Sequence, residues 1–343
     1  MLRALELSRL GLGRVSPNPM VGAVIVHKGK IIGEGWHQQF GGPHAEVNAI
    51  NSVIDHQLLE NSTMYVTLEP CSHFGKTPPC ADLIIDKKIK RVVIAMQDPN
   101  PLVSGKGIDK LKNTGIEVSI GVLRNEALNL NKRFLKNILE KRPYIILKWA
   151  QTIDGFLAPG LNFSQKDKQI SNSLSQQLVH AWRAQEDAIL VGYNTLLHDN
   201  PKLNVRLINT HRQPTRITWD EKGVSPSNHY FFDGSQKSFV FNHIKEEKTA
   251  THSYLQIEPD EAGITDLLKR LLKECVGSVI IEGGAKTLEK FINLNLWDEA
   301  RICTSPKIIG NGIKAPNILK SPDESFQLEE DFWKVVFNSP TQT

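Results

Sequence analysis

The N-terminal run MLRALELSRLGLGR spaces Leu2, Leu5 and Leu7 for a short amphipathic helix that turns these leucines toward a core. Two β-rich runs follow in MVGAVIVHKGKIIGEGWH, and Lys28-Gly29-Lys30 between them predicts a hairpin turn. Then come a helix from about Pro43, the strand MYVTLE, a helix from about Pro78, the strand RVVIAM, another helix and the strand IEVSIGV. A polar helical stretch, EALNLNKRFLKNILEK, ends near Glu140-Lys141-Arg142-Pro143, where Tyr144-Ile145-Ile146-Leu147 opens a new strand. Beyond it YIILKWA, AILVGYNTL, TRITWD, SFVFN, SVIIEG and EARICTS read as strands. SLSQQLVHAWRAQ, EAGITDLLKRLLKE and KTLEKFINLN read as helices between several of them. Strand–helix alternation implies an α/β architecture with a largely parallel sheet covered on both faces. A length of 343 residues suits two domains, drawn at 1–142 and 143–343, with no long flexible linker, repeat or low-complexity segment.

Composition narrows the class. With 40% hydrophobic and 23% charged residues, the chain can build two globular cores. No apolar run reaches the roughly 18 residues of a membrane span, and the N-terminus lacks the apolar core of a secretory signal, so a cytoplasmic protein is expected. Four cysteines exclude a disulfide scaffold; Cys71 and Cys80, close in sequence, point to metal, whereas Cys275 and Cys303 read as buried small hydrophobes. Residues 1–142 carry 19 Lys and Arg against 13 Asp and Glu, a balance that suits a phosphorylated ligand and equally a solvated basic surface. No basic run interleaved with aromatics suggests a nucleic-acid groove.

The chemistry of the first half gathers in two motifs. His44-Ala45-Glu46 follows Gly42-Pro43, and Pro70-Cys71 precedes Cys80 across the loop SHFGKTPP. Proline at each helix start would put His44 and Cys80 in a first turn, where amide dipoles favour thiolate. One His and two Cys leave a tetrahedral zinc with a fourth position for water, whose pKa zinc lowers to about 7. Glu46, two residues from the ligand His44, is placed to take that water's proton and return it to a departing amine. This is the H-x-E and P-C-x-x-C chemistry of nucleobase deaminases. Alone, His-Ala-Glu occurs by chance in many helices, and His73 is a rival ligand.

In the second half, Ser278-Val-Ile-Ile-Glu282-Gly283-Gly284 is an apolar strand running into two glycines and a helix, a junction that lets backbone amides approach a phosphate. It is not the G-x-G-x-x-G fingerprint, so a standard Rossmann unit is not indicated.

PNPMVGAVIV, GEGWH, GGPHAEVNAI, YVTLEPCSHFGKTPPC and MQDPNP resemble the deaminase domain of the bifunctional riboflavin-biosynthesis deaminase–reductases. KWAQTIDG, WRAQ and the run from Gly192 to Arg206 resemble, in order and spacing, the reductase domain of the same family. The resemblance covers nearly the whole chain. It implies an N-terminal cytidine-deaminase-like zinc domain and a C-terminal dihydrofolate-reductase-like domain that uses NADPH. It further implies zinc on His44, Cys71 and Cys80, Glu46 as proton shuttle, and substrate contacts from Asn18, His37 and Lys76. In the second half it puts Ala150, Gln169, Thr195, Asp199 and the run Gly284, Ala285, Lys286 and Thr287 near the cofactor. Asp167, Arg183, Leu203, Arg206 and Glu282 fall near substrate, with Lys148, Asp199 and Glu282 around the reduced carbon. Arg183 and Arg206 suit a phosphate, since a guanidinium grips two oxygens at once. One departure stands out: where the family commonly carries Trp in a W-I-T or W-I-S element beside the cofactor, this chain has Gln169-Ile170-Ser171. The expected partners are a small phosphorylated aminopyrimidine and further copies of the chain, as a dimer or tetramer, with no nucleic acid and no membrane. A nucleoside or tRNA-editing deaminase is the rival enzyme, which the eight-residue Cys spacer and the second half disfavour. A non-catalytic zinc-stabilised RNA-binding module is the rival from another class, and it leaves Glu46 and Glu282 unexplained.

Overall fold

The structure is a computed structural model that describes residues 1–72, 78–101, 103–159, 169–258 and 260–338. His73, Lys76 and Asp167 therefore lie outside the described residues. The chain divides into two compact units, Met1–Lys141 and Arg142–Thr343.

In the first unit α1 (Leu2–Arg9) precedes the hairpin β1 (Gly22–His27) and β2 (Lys30–Trp36). Then follow α2 (Ala45–Asn51), β3 (Thr63–Leu68), α3 (Cys80–Asp86), β4 (Arg91–Met96), α4 (Lys106–Asn113), β5 (Glu117–Ile120), α5 (Arg124–Leu130) and α6 (Lys132–Glu140). The sheet order is β2-β1-β3-β4-β5, antiparallel across β1 and parallel from β3 to β5. It is thus mixed rather than largely parallel, because the hairpin turn leaves no room for a crossover between β1 and β2. Alternation along β1 splits its side chains between two faces. Ala23 and Ile25 pack with Ala49, Ile50 and Ile84 from the helices, and Val24 packs with Ala4 and Leu7. Leu5 and Leu7 of α1 are buried as the spacing predicts, but Leu2, the first residue of the helix, is 67% exposed. The polar helical stretch is interrupted at Asn131, whose amide donates to the Met20 carbonyl and whose Oδ1 accepts from the Met20 N–H.

The second unit is built on ten strands of one sheet. Its elements are β6 (Tyr144–Thr152), β7 (Phe156–Pro159), α7 (Ser173–Gln185), β8 (Ala188–Gly192), α8 (Tyr193–Asp199), β9 (Thr215–Trp219) and β10 (Ser238–Asn242). They continue through β11 (Glu247–Lys248), β12 (His252–Gln256), α9 (Glu261–Lys273), β13 (Ser278–Ile281), α10 (Ala285–Asn293), β14 (Glu299–Ser305), β15 (Gly312–Lys314), β16 (Glu324–Leu328) and β17 (Asp331–Phe337). The order β11-β12-β10-β9-β8-β13-β6-β14-β17-β16 has a parallel centre from β12 to β14 and antiparallel edges; β7 and β15 pair separately. The central strands are apolar on both faces, as a sheet covered by helices requires. Ile145, Leu147, Leu190, Phe239 and Ile281 meet Leu267, Leu271, Leu288 and Phe291 of α9 and α10.

Two expectations change here. AILVGYNTL is a strand only to Gly192; Tyr193 starts α8, because Gly192 ends the fully buried run and caps the helix in extended geometry. Cys275 is exposed at φ +62°, in the turn between α9 and β13, while Cys303 is buried in β14 as expected.

Candidate functional sites in the two halves

β1, β2 and α2 position the first site. Gly35 lets α2 lie directly on β2: a Cβ there would stand 2.2 Å from the Ala49 nitrogen. His44 is the N-cap of α2, in extended geometry, so it sits one residue before the first turn rather than in it. Cys80 opens α3 after the N-cap Pro79, and its N–H donates to Cys71 Sγ at 3.3 Å. The one His and two Cys therefore arrive from two helix starts and the end of β3. Their ligand atoms all lie within 4.8 Å of one another, with His44 Nδ1 3.6 Å from Cys71 Sγ and 3.3 Å from Cys80 Sγ. Tetrahedral zinc with its usual Zn–N and Zn–S lengths separates N and S ligands by roughly 3.5 Å, so this donor set fits that ion. Hydrogen bonding from Cys80 holds the Cys71 thiol down to about 4 against its burial, with His44 adding to the effect. Glu46, 3% exposed, sits beside them, and burial followed by the Cys71 charge pushes its carboxyl up to about 7.

Asn18 and His37 are brought to this site, though not in the same way. His37 Nδ1 lies 3.0 Å from the Pro43 carbonyl and Nε2 lies 3.0 Å from Asn18 Nδ2. A carbonyl only accepts, so Nδ1 carries the proton and Nε2 accepts from the Asn18 amide. With both nitrogens occupied, its ring edge-on to His44 and only 3% exposed, His37 has no polar atom left for a substrate. It holds Asn18 by its amide nitrogen instead. The sequence reading also missed Glu69, which stands next to Pro70-Cys71. Its buried carboxylate accepts from the N–H groups of Asp98, Gly105, Gly107 and Ile108, tying the start of α4 to the end of β3. The motif TLEPC contains this glutamate; only the fold shows what it grips.

In the second unit the strand register assembles the site. Ile281 lies beside Leu147 and Leu190, so Glu282 emerges next to Lys148. Lys148 Nζ is 3.6 Å from Glu282 Oε2, and Arg183 of α7 binds both carboxylate oxygens, at 2.8 and 2.5 Å. Burial pushes the Glu282 carboxyl up, but Arg183 and Lys148 outweigh it and hold it at about 2. Burial lowers Lys148, against the pull of Glu282. Arg183 is thus spent on Glu282 rather than free for a phosphate, whereas the guanidinium of the exposed Arg206 bonds, among the described residues, only to its own neighbour, Asn204 Oδ1. Leu203 is 2% exposed and packs with Val191, Leu196 and Phe231, so its side chain belongs to the core and only its backbone can meet a ligand.

Thr195, Gly284 and Thr287 converge at the carboxyl ends of β8 and β13. A Cβ on Gly192 would meet Thr287 Oγ1 at 2.3 Å, and one on Gly283 would meet Thr195 Oγ1 at 3.1 Å. Gly284, at φ +60°, caps α10 ahead of Ala285 and the exposed Lys286. Asp199 is exposed and ends α8; Ala150 lies two residues beyond Lys148 on β6, half-buried. Gln169 is exposed, and its carbonyl accepts from Lys307 Nζ at 2.6 Å.

Two family models match: the cytidine and deoxycytidylate deaminase zinc-binding region over residues 1–96, and the RibD C-terminal domain over 143–332. Fold and sites together define an enzyme with a zinc-type deaminase half and a dihydrofolate-reductase-like reductase half. The riboflavin biosynthesis protein RibD of Aquifex aeolicus is 40% identical over 96% of this chain and 93% of its own. That of Bacillus amyloliquefaciens is 39% identical over 100% and 92%. The chain belongs to the RibD family, the bifunctional deaminase–reductases of riboflavin biosynthesis. Among solved structures it is similar to the Thermotoga maritima diaminohydroxyphosphoribosylaminopyrimidine deaminase/5-amino-6-(5-phosphoribosylamino)uracil reductase, with TM-score 0.86, 38% identity and coverage of 98% and 96%. Acinetobacter baumannii RibD gives TM-score 0.86 at 34% identity, covering 98% and 97%.

Proposed function

We propose that the first half removes the 2-amino group of 2,5-diamino-6-ribosylamino-4(3H)-pyrimidinone 5′-phosphate and that the second reduces the ribosyl group of the product to ribityl with NADPH. The observation that carries the first step is the buried Glu46 beside three converging metal-type donors. His44, Cys71 and Cys80 would hold a zinc ion, which would supply the Lewis acidity that makes water a nucleophile near neutral pH. Glu46 takes the proton of the attacking water and passes it to the amine that leaves as ammonia. Asn18, its amide nitrogen bound to His37, offers its oxygen to donors on the pyrimidine edge.

For the second step, a reduced nicotinamide bound at the reductase site would supply the hydride. Lys148, buried yet held beside Glu282, has a proton to give to the sugar-ring oxygen as the ring opens. Thr195 and Asp199 on α8, Ala150 on β6 and the run from Gly284 to Thr287 line the cofactor side, where the backbone amides at the start of α10 suit a phosphate. Arg206 receives the substrate phosphate. Product analysis with the diaminopyrimidine substrate tests the scheme: ammonia and the ribosyl product without NADPH, and the ribityl product with it. Ammonia release without any ribityl product in the presence of NADPH would refute the second step.

A further inference from the structure

The connection that carries Arg206 has no helix or strand of its own, yet side chains hold each residue from Leu203 to Arg206. Leu203 is locked in the core at φ +46°. The Asn204 carbonyl accepts from Arg183 Nη1 at 3.2 Å. The Val205 N–H donates to Gln213 Oε1 at 2.7 Å, and its carbonyl accepts from Gln213 Nε2 at 2.9 Å. The Arg206 N–H donates to His180 Nδ1 at 3.1 Å. His180 and Arg183 stand three apart on α7 and so face the same way, one holding Asn204 and the other Arg206.

We propose that His180 is a positioning residue for Arg206, fixing from inside α7 the backbone from which the exposed guanidinium reaches the substrate phosphate. This rests on the assignment of Arg206 to that phosphate. His180 is only 3% exposed, so its ring is held in place by α7 and the bond it accepts from the Arg206 N–H, itself part-buried, ties the exposed residue to a fixed point. The bond needs an unprotonated Nδ1. Burial, Arg183, Arg206 and Lys148 together outweigh Glu282 and keep the ring neutral down to about pH 4. Gln213, on the outer side of the segment, serves Val205 in the same way. The result is an arginine whose root is as fixed as a residue in a strand, although it lies in a connection; an anion site needs that rigidity for discrimination.

The test is reductase kinetics with the deaminated phosphoribosylaminouracil and with its dephosphorylated form. His180→Phe keeps a ring but removes the acceptor. The KM for the phosphorylated substrate should rise by about 2- to 13-fold, the range expected for loss of one part-buried hydrogen bond. kcat and the KM for the dephosphorylated form should stay within about 3-fold of native. His180→Asn, which keeps a short acceptor, should recover part of the loss. Gln213→Met, on the solvent side, should show the same selective rise in smaller measure and decides the matter if His180→Phe does not fold. Combining His180→Phe with Arg206→Met should be no worse than Arg206→Met alone. Undiminished preference for the phosphorylated substrate in His180→Phe or, failing its folding, in Gln213→Met overturns the inference, as do losses that add. If Arg206→Met itself keeps that preference, the phosphate assignment is what fails.

Discussion

Arg183 and Glu282, 99 residues apart, form a two-point ion pair in which Nε and Nη2 each donate to a separate carboxylate oxygen. Both side chains are largely removed from solvent, at 13% and 6% exposure, and Lys148 Nζ stands 3.6 Å from the same carboxylate. Removing one partner of such a pair leaves an uncompensated charge, which costs about 3–5 kcal/mol. Arg183→Met should therefore destabilise the reductase half by about that much, measured by denaturant unfolding. A loss below about 1 kcal/mol would show that Lys148, or water, suffices to balance Glu282.

The same pair sets an acid limit. Glu282 has a folded pKa of about 2 against about 4.3 in an unfolded chain, so folding favours its charged form. The stabilisation is complete above about pH 5 and is lost as pH falls through the interval from about 4.3 to 2. Acid titration of reductase-half stability should show that loss, and Glu282→Gln should flatten this part of the curve.

Metal content checks the donor set. Purified protein should hold about one zinc per chain, and Cys80→Ala should lower the ratio sharply, because the remaining His44 and Cys71 cannot close the site. Full retention in that variant would point to another ligand, with His73 the first to examine.

Glu46→Gln separates the halves. Loss of general acid–base help should slow ammonia release by about 10²–10⁴-fold, while reduction of the deaminated substrate continues at near-native rate. Equal loss of both activities in a folded variant would contradict two independent sites.

By the sequence resemblance, Gln169 takes the place of a tryptophan beside the cofactor. If that position faces the cofactor, Gln169→Trp should tighten NADPH binding by roughly 2- to 13-fold, the worth of an aromatic contact of about 0.5–1.5 kcal/mol. NADPH fluorescence titration measures it. Weakened binding would mean that the space is already filled, and unchanged binding that position 169 does not face the cofactor; its backbone tie to Lys307 already sets where the residue stands.

The patterns along the chain determined the two α/β halves, the hairpin, α7, α9 and α10 almost to the residue, and the grouping of His44, Glu46, Cys71 and Cys80. These are local: hydrophobic periodicity, helix starts and short motif spacings follow from neighbours in sequence. What each polar side chain does was decided elsewhere. His37 looks like a substrate contact until Pro43 and Asn18 are seen to occupy its two nitrogens, and Arg183 looks like a phosphate ligand until Glu282 claims it. The antiparallel strands β17 and β16 at one end of the sheet and the early start of α8 likewise depend on what packs against them. Hydrogen-bond partners are set by distance in space, and strands β6, β8 and β13 bring Lys148, Leu190 and Glu282 together only through their register in one sheet. Residue type tells what a side chain can do, and the tertiary structure decides which of its bonds are already taken.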